Sequence, residues 1–314
     1  MTIQQKTTAL FEDQITSWPL LGANWRKLDA AQLKTFRFDG FSIQVQFNPK
    51  RITSSAAKVD KDSIEKRPCF LCPENRPPEE THVVFGGDYE ILCNPFPIFK
   101  QHYTIAKVDH TPQVIDPEFS RFLDLARDLP ELVVFYNAPS CGASAPDHMH
   151  FQAGNRGFMP IEDDIGILQE HYGEVIAHRN GFTASAVEDG LRRFIVLESD
   201  RKEPLEWVFP QISGYLKQFS KEGESTLNML AYYNEKWQIL VFPRKRHRPW
   251  QFFEKGEKNI LLSPAAVDMG GTMITPLEKD FNKITREDIK DIFSQISLSA
   301  ERFSGLTGRL KEGY

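Results

Sequence analysis

Two stretches of this chain carry short apolar runs in the same order, and that order restricts the folds that the chain can adopt. The first stretch reads YEILCNPFP, HYTIAKVDH, the helix-like FSRFLDLARDL, LVVFYN and HMHFQAG. The second reads FIVLESD, the helix-like PLEWVFPQISGYLKQF, NMLAYYN, WQILVFPRK and MGGTMITP. Short apolar runs that end at turn residues are typical of buried strands. We therefore predict an α+β fold of two duplicated units, in which antiparallel sheets are flanked by helices.

The two copies differ at their histidines. LVVFYN at 132–137 parallels MLAYYN at 229–234, and a turn and a further strand follow each run. Where the first copy has His148, Met149 and His150, the second has Gln238, Ile239 and Leu240. A duplicated fold with one active half is the inference that this pattern supports.

We place the amino-terminal half at residues 1–160 and the diverged carboxy-terminal half at residues 161–314. The stretch from 155 to 190 is rich in glycine and acidic residues, so we predict that it connects the two halves. Within the first half, the polar segment at 48–68 separates a strand-like run from a pair of cysteines. We predict that this segment forms a loop facing the substrate.

Composition and charge exclude several classes of protein. With 314 residues and 40% hydrophobic side chains, the chain can bury one large core or two smaller ones. The net charge of −5 gives no general attraction for a polyanion, so nucleic acid is not an expected partner and any phosphate binding must be local. The sequence has no long apolar run to span a membrane, and its N-terminus does not resemble a signal peptide. We expect a cytoplasmic protein with no membrane partner.

The histidine-containing segment NAPSCGASAPDHMHFQ holds the residues best suited to chemistry. Because side chains two residues apart on a strand share a face, His148, His150 and Gln152 would line one side. Met149 and Phe151 would pack behind them. An imidazole, with a pKa of about 6.5, is a nucleophile toward phosphorus at neutral pH, and a Gln amide can donate to a phosphate oxygen. The alternative is an ordinary polar face of a half-exposed strand.

The cysteines point to a metal. Four cysteines are too few for a disulfide scaffold, but Cys69 and Cys72 have the spacing that supplies two of the four ligands of a tetrahedral zinc ion. Candidates for the other two ligands follow downstream: His82, His102, His110 and His148. A metal between His110 and His148 would be structural and would fasten the cysteine loop beside His150. The alternative is a pair of reduced, partly buried thiols without metal.

A basic run, RKRHR at 244–248, follows one of the strands of the second copy. Clustered Lys and Arg side chains recruit phosphate groups, but they also occur as solvated ends of strands. Both interpretations stay open for this run.

These motifs resemble a known superfamily. CFLCPENRP, VDHTP and SAPDHMHFQ are together similar to the galactose-1-phosphate uridylyltransferase branch of the histidine-triad superfamily. SPAAVDMGGTMITPLEKDF and SLSAERF are similar to the end of the GDP-L-galactose and GDP-D-glucose phosphorylases. The resemblance covers most of the chain from about Cys69 onward. It implies that the duplicated units are histidine-triad-like and that the protein is a nucleotidyltransferase.

The resemblance also implies roles for particular residues. His150 matches the nucleophile that becomes nucleotidylated, and Gln152 matches the residue that contacts the transferred phosphate. Asn137 and Ser144 fall near the contacts to the nucleotide phosphates. The implied zinc ligands are Cys69, Cys72, His110 and His148, with His102 as the substitute for His110. The uridylyltransferases carry His-Pro-His-Gly-Gln where this chain has HMHFQ, which leaves the base and the sugar open.

The implied reaction is a double displacement on a nucleotide sugar, with phosphate or a sugar 1-phosphate as the second reactant. Phosphorolysis or hydrolysis of a dinucleoside polyphosphate is the alternative within the same chemistry. A non-catalytic zinc-containing module that binds nucleotides is the alternative from another class. A homodimer is an expectation that comes from the resemblance alone.

Overall fold

The computed structural model describes residues 1–52, 63–64, 66–220 and 223–313. Of the polar segment that was predicted to face the substrate, residues 53–62 and 65 lie outside the described residues. In the described part of the chain, no helix has both the length and the apolar character that crossing a membrane requires.

The elements of the amino-terminal half whose bounds the described residues give begin with two helices and a hairpin, and they include five further strands and a further helix. Thr2 caps the first helix through a reciprocal pair of hydrogen bonds with Gln5. The elements are α1 (Ile3–Ser17), α2 (Pro19–Arg26), β1 (Gln32–Arg37), β2 (Ser42–Phe47), β3 (His82–Phe85), β4 (Tyr89–Cys93), β5 (His102–Lys107), α3 (Phe119–Asp128), β6 (Leu132–Asn137) and β7 (His150–Asn155).

The carboxy-terminal half repeats this series and ends in helices. Its elements are α4 (Ile161–Tyr172), β8 (Gly173–Arg179), β9 (Phe182–Glu188), β10 (Arg193–Ser199), α5 (Lys202–Lys217), β11 (Leu227–Asn234), β12 (Lys236–Pro243), α6 (Ala266–Met269), β13 (Thr272–Thr275), α7 (Glu278–Lys283), α8 (Arg286–Ile296) and α9 (Ala300–Glu312).

One ten-stranded sheet joins the two halves, in the order β3-β4-β5-β7-β6-β11-β12-β10-β9-β8. β6 and β11 pair antiparallel at its centre. Outward from this pair, each half has the same order: β6-β7-β5-β4-β3 on one side and β11-β12-β10-β9-β8 on the other. The predicted duplication is confirmed, because LVVFYN and MLAYYN form the two equivalent central strands, and α3 and α5 are the equivalent helices.

Apolar clusters cover both faces of the sheet. On one face the helices α3, α5 and α9 pack, and the rings of Phe119 and Phe209 stack with centroids 3.9 Å apart. On the other face lie α8 and a small sheet, in which β2 pairs antiparallel with β1 and parallel with β13. Met149 and Phe151 belong to the first cluster, as predicted. The opposite face of β7 is therefore free to line a site beneath the small sheet.

The predicted connection between residues 155 and 190 holds only for its first part. α4 lies between β7, the last strand of the first repeat, and β8, the first strand of the second, whereas β8 and β9 are strands of the second repeat. Three of its glycines lie in turns with φ near +80°: Gly157 precedes α4, Gly181 joins β8 to β9, and Gly190 follows β9. Most of the acidic residues lie on the exposed surface of folded elements. A composition rich in both therefore does not distinguish a connection from helices and strands joined by turns.

The register of the second half also corrects one prediction. Phe135 pairs with Gln152, and its equivalent Tyr232 pairs with Gln238, so Gln238 is the counterpart of Gln152. By the same register Lys236 is the counterpart of His150. The long loop between β6 and β7 is reduced to Glu235 between β11 and β12, with a φ of 60°. The predicted match of the histidines to 238–240 is therefore four residues out, because the loop is missing.

Candidate active site

His150 begins β7 and is held as a neutral imidazole. Its side chain is buried, and its Nδ1–H donates to the backbone carbonyl of His148 over 2.8 Å. Its backbone N–H donates to the Gln113 side chain over 2.7 Å. Burial lowers the pKa of His150 to about 4, although its bond to the His148 carbonyl acts in the opposite direction. Because Nδ1 carries the proton, Nε2 has the free electron pair that a nucleophile needs.

Gln152 is oriented by a buried histidine. The backbone N–H of Ile98 donates to Nδ1 of His102 over 3.3 Å, so the proton of His102 is on Nε2. That Nε2–H donates to Oε1 of Gln152 over 3.1 Å. Burial, and then the charge of Arg51, lower the pKa of His102 to about 3, so the ring is neutral. With its oxygen held in this way, Gln152 presents its NH₂ group as the donor to the cavity.

Asn137 is oriented by a second chain of contacts that starts at Arg244. This fully buried guanidinium donates to Oδ1 of Asn228, and Nδ2 of Asn228 donates to Oδ1 of Asn137 over 2.8 Å. The N–H of Ala266 donates to the same oxygen over 2.8 Å. Oδ1 of Asn137 is thus fully engaged, and its NH₂ group is the part of the amide that is left to bind a ligand. Arg244, from the basic run, has a structural role.

The loop between β6 and β7 brings Ser144 to the same cavity. Arg67 holds this loop, because its guanidinium donates to the carbonyl of Ser144 over 2.8 Å. Gly142 has a φ of +107°, and a Cβ at this position would lie 2.7 Å from the Cβ of Ala265. Only glycine satisfies both conditions, so the close approach of the loop to the second half depends on it.

These side chains share one cavity of about 440 Å³, which is within the range of small-molecule sites. Each predicted catalytic or substrate-binding residue lines it: Asn137, Ser144, His150 and Gln152. The apolar part of the wall includes Trp18, Leu92 and Phe96, and residues of the second half close the other side.

The four predicted metal ligands converge beside the cavity. Their ligand atoms all lie within 4.8 Å of one another. Nδ1 of His148 is 3.3 Å from Sγ of Cys69 and 3.5 Å from Sγ of Cys72, and Nδ1 of His110 is 3.1 Å from Sγ of Cys72. Ligand atoms of a tetrahedral zinc ion are separated by about 3.5 Å, so this donor set fits a metal such as zinc.

The other nitrogen of His148 is also accounted for, because Nε2–H donates to the carbonyl of Lys107 over 2.7 Å and leaves Nδ1 for a metal. His148 lies in a turn before β7, so its ring does not share the row of His150 and Gln152, contrary to the prediction. His102 bonds to Gln152 and takes no part in the cluster, so it does not replace His110.

Several residues of the site were not found from the sequence. Gln113 donates to the carbonyls of both Asn137 and His150, and Arg51, Arg248 and Ser263 line the cavity. Arg248 belongs to a run that the sequence did mark as a phosphate-binding candidate. For the others no spacing signal exists, because they come from loops far apart in the chain.

The chain was compared with known proteins. Residues 10–155 match a family model described as a domain of unknown function, DUF4922, and residues 167–313 match the model "GDPGP1-like, C-terminal domain". Among curated protein sequences, none matches this chain significantly.

Solved structures of yeast Ap4A phosphorylase Apa2 are similar to this chain over nearly its whole length. The complex with AMP has a TM-score of 0.59 and 17% identity, covering 96% of this chain and 99% of that chain. The complex with Ap4A has a TM-score of 0.57 and 17% identity, covering 90% and 97% respectively. At this identity the likeness shows the fold alone. The chain therefore shares the overall fold of these structures, and its α+β architecture of duplicated units is the one that its sequence predicted.

Proposed function

We propose that this protein is a nucleotidyltransferase that acts on a nucleotide sugar, by transfer or phosphorolysis, through a covalent nucleotidyl-His150. One observation carries the proposal: a neutral His150 with a fixed tautomer lines a cavity beside two amides, Gln152 and Asn137, whose oxygens are already engaged. Such preorganised donors are suited to phosphate oxygens, on which negative charge concentrates in the transition state. Ser144 adds a hydroxyl to the same wall.

In the first step, Nε2 of His150 attacks the α-phosphorus of the nucleotide. The Nε2–P bond forms as the P–O bond to the departing sugar 1-phosphate breaks. Since Nδ1 keeps its proton, the adduct is an imidazolium. The His148 carbonyl, which accepts the hydrogen bond from Nδ1–H, stabilises its positive charge. Gln152 and Asn137 donate to the oxygens of the phosphoryl group as it transfers.

In the second step, an oxygen of inorganic phosphate or of a second sugar phosphate attacks the same phosphorus. The Nε2–P bond breaks, and His150 returns to its neutral form with its proton still on Nδ1. The two steps use the same residues in reverse order, so ping-pong kinetics are expected.

The metal that we propose for Cys69, Cys72, His110 and His148 is zinc with a structural role. When bound, it would crosslink the loop that carries Cys69 and Cys72 to the chain just before β7. His148 would then connect the two sites, because its ring faces the metal cluster while its carbonyl sets the tautomer of His150.

A second candidate is phosphorolysis of a dinucleoside polyphosphate. It is favoured by the likeness of the whole fold to yeast Ap4A phosphorylase, whose structures include complexes with AMP and with Ap4A. The same attack by His150 would release a nucleoside polyphosphate in place of a sugar 1-phosphate.

The test is incubation of the metal-loaded protein with α-labelled UDP-sugars, GDP-sugars and diadenosine tetraphosphate, followed by mass analysis of the intact chain and its peptides. We expect a nucleotidyl adduct on His150 that is absent from His150→Ala. His178→Ala is the matched control, because His178 is an exposed histidine of β8 and its loss should leave the adduct unchanged. The donor that labels the protein identifies the base and the leaving group. If a folded, metal-loaded protein forms no adduct with any donor, the transferase proposal is wrong and a nucleotide-binding module is left.

A further inference from the structure

The basic run at 244–248 divides into residues with different surroundings. Arg244 is buried and holds Asn228, whereas Lys245 and Arg246 are exposed. Arg248 lines the cavity together with His150 and is half-buried. The run therefore places one structural arginine and one cavity arginine four residues apart, with exposed cations between them.

The guanidinium of Arg248 is held in place from two sides. Its Nε donates to Oγ of Ser263 over 3.0 Å, and its central carbon lies 4.1 Å from the centroid of the Phe252 ring. Oγ of Ser263 is in turn 2.8 Å from Nε2 of His247. A guanidinium that is stacked and anchored in this way loses little conformational freedom on binding a ligand, and its planar fork matches two phosphate oxygens.

A short series of contacts links this guanidinium to the wall of the cavity that carries the reacting histidine. Gln113 bridges the carbonyls of His150 and Asn137, so these two residues lie next to each other on adjacent strands. The side chain of Asn137 accepts from the N–H of Ala266. Ser263, which anchors Arg248, is only three residues before Ala266 and lines the same cavity.

The charge of the cavity favours an anion, although the whole chain has a net charge of −5. Among the residues that the structure describes, its lining contains three arginines and two carboxylates, an excess of one positive charge: Arg51, Arg67, Arg248, Glu80 and Asp268. Both oxygens of Asp268 accept backbone N–H groups, from Ala265 and Ile274, so this carboxylate is directed at the backbone. Arg67 is committed to the Ser144 loop.

We infer that Arg248, positioned by Ser263 and Phe252, binds the phosphate group that leaves the donor in the first step and attacks in the second. The inference rests on the proposed function, since it names the subsite next to the α-phosphorus. The ligand class is a phosphate monoester or inorganic phosphate, held bidentately. The half of the protein without a nucleophile thus supplies the binding site for the second reactant.

The decisive measurement starts from nucleotidyl-enzyme, made with the α-labelled donor and freed of excess donor. Its discharge is followed at increasing concentrations of inorganic phosphate. For Arg248→Ala we expect at least a tenfold rise in the half-saturating phosphate concentration, with the discharge by water unchanged. Arg248→Lys should fall between this variant and the wild type, because it keeps the charge but loses the fork. Arg246→Ala is the matched control from the same run and should behave as the wild type.

A second measurement needs no chemistry. The thermal midpoints of the wild type, Arg246→Ala and Arg248→Ala are compared across a phosphate titration, and the comparison removes the general stabilising effect of phosphate. We expect a smaller phosphate-dependent rise in Arg248→Ala alone.

Normal phosphate dependence of discharge in folded Arg248→Ala would overturn the inference while leaving the proposed function intact. If no donor labels His150, the proposed function fails. The phosphate titration of the thermal midpoints then tests the role of Arg248 by itself. A loss confined to Arg248→Ala would then support a phosphate site without transfer, and an unchanged rise would overturn the inference as well.

Discussion

The two halves of the ten-stranded sheet have the same topology, but different side chains occupy their equivalent positions. In the first half, His150 and Gln152 line a cavity, and the buried His102 holds the amide of Gln152. At the equivalent positions the second half has Lys236, Gln238 and Val196, by the register of β10, β11 and β12. Glu198 of β10 occupies the place of Thr104 and accepts hydrogen bonds from Lys236, Gln238 and Gln169 of α4. The amide that serves as a free donor in one half is consumed by an ion-pair network in the other.

This difference shows what the fold alone supplies. Both halves have the central strand, the crossing helix and a Gln at the same register. Only the first half has the long loop before its last strand, and that loop carries Ser144, His148 and the close contact at Gly142. The second half instead contributes side chains to the site of the first half. Asn228 of β11, for example, donates a hydrogen bond to Asn137 of β6. The pairing of these strands is the arrangement expected of two protomers in a symmetric dimer, here within one chain. The homodimer of this chain stays a prediction.

The largest expected effect comes from giving the first half the side chain of the second. His150→Lys should abolish the nucleotidyl adduct and lower turnover by at least ~10⁴-fold, because a protonated lysine has no electron pair for phosphorus. Mass analysis of the intact chain measures the adduct. Lys236→His is the reverse exchange and should gain no adduct, since Gln238 remains bonded to Glu198. An adduct on residue 236 would show that the fold, not the surroundings, confers the activity.

Metal removal should destabilise the first half. With the metal at a thousand times its Kd, binding to the native state contributes about 4 kcal/mol to the free energy of unfolding. We expect a chelator to lower the thermal midpoint of the wild type, and Cys69→Ser combined with Cys72→Ser to lower it by a similar amount. The chelator should have no further effect on that double variant. A wild-type midpoint that does not respond to metal or chelator contradicts the metal site.

His102→Val copies Val196 of the second half and should slow adduct formation roughly 10-fold to 100-fold, less than the ~10²–10³-fold expected for Gln152→Ala. The reason is that His102 acts only by orienting the amide of Gln152. The double variant checks this, because His102→Val should add little once Gln152 is already alanine. If His102→Val slows adduct formation by the same factor in the wild type and in Gln152→Ala, His102 acts independently of Gln152. Exchange of the exposed histidine in His178→Ala serves as the control.

The smallest effect is a dependence of stability on pH that comes from buried neutral histidines. Burial lowers the pKa of His102 and of His247 to about 3, whereas in the unfolded chain each titrates near 6.5. Below pH 6.5 the unfolded state therefore binds protons that the native state does not, and stability falls as the pH is lowered. Each such histidine contributes a loss of about 1.4 kcal/mol per pH unit. Denaturant unfolding between pH 7.5 and 5 should show a shallower dependence in His102→Val, and an equal slope would contradict the burial of a neutral His102.

Much of the fold was predictable because it depends on local patterns. The repeated order of apolar runs predicted the duplication, and LVVFYN and MLAYYN identified the equivalent strands. The predicted connection was extended too far, over β8 and β9, because glycine and acidic residues mark turns and surface equally well in connections and in strands. The histidine register was four residues out because a sequence repeat does not reveal that a loop has been shortened to Glu235.

The sequence by itself identified the residues that we propose for the site. His150 and Gln152, and the pair Cys69 and Cys72, follow from residue type and short spacing, which are properties of one segment, whereas Asn137, Ser144, His110 and His148 follow from the resemblance of the motifs. Only the tertiary structure decided which nitrogen of His150 is protonated, that His102 orients Gln152, and that Arg248 reaches the cavity from the other half. Each of these depends on contacts between segments distant in the chain. Such contacts exist only after the two faces of the sheet have packed, so no local pattern encodes them.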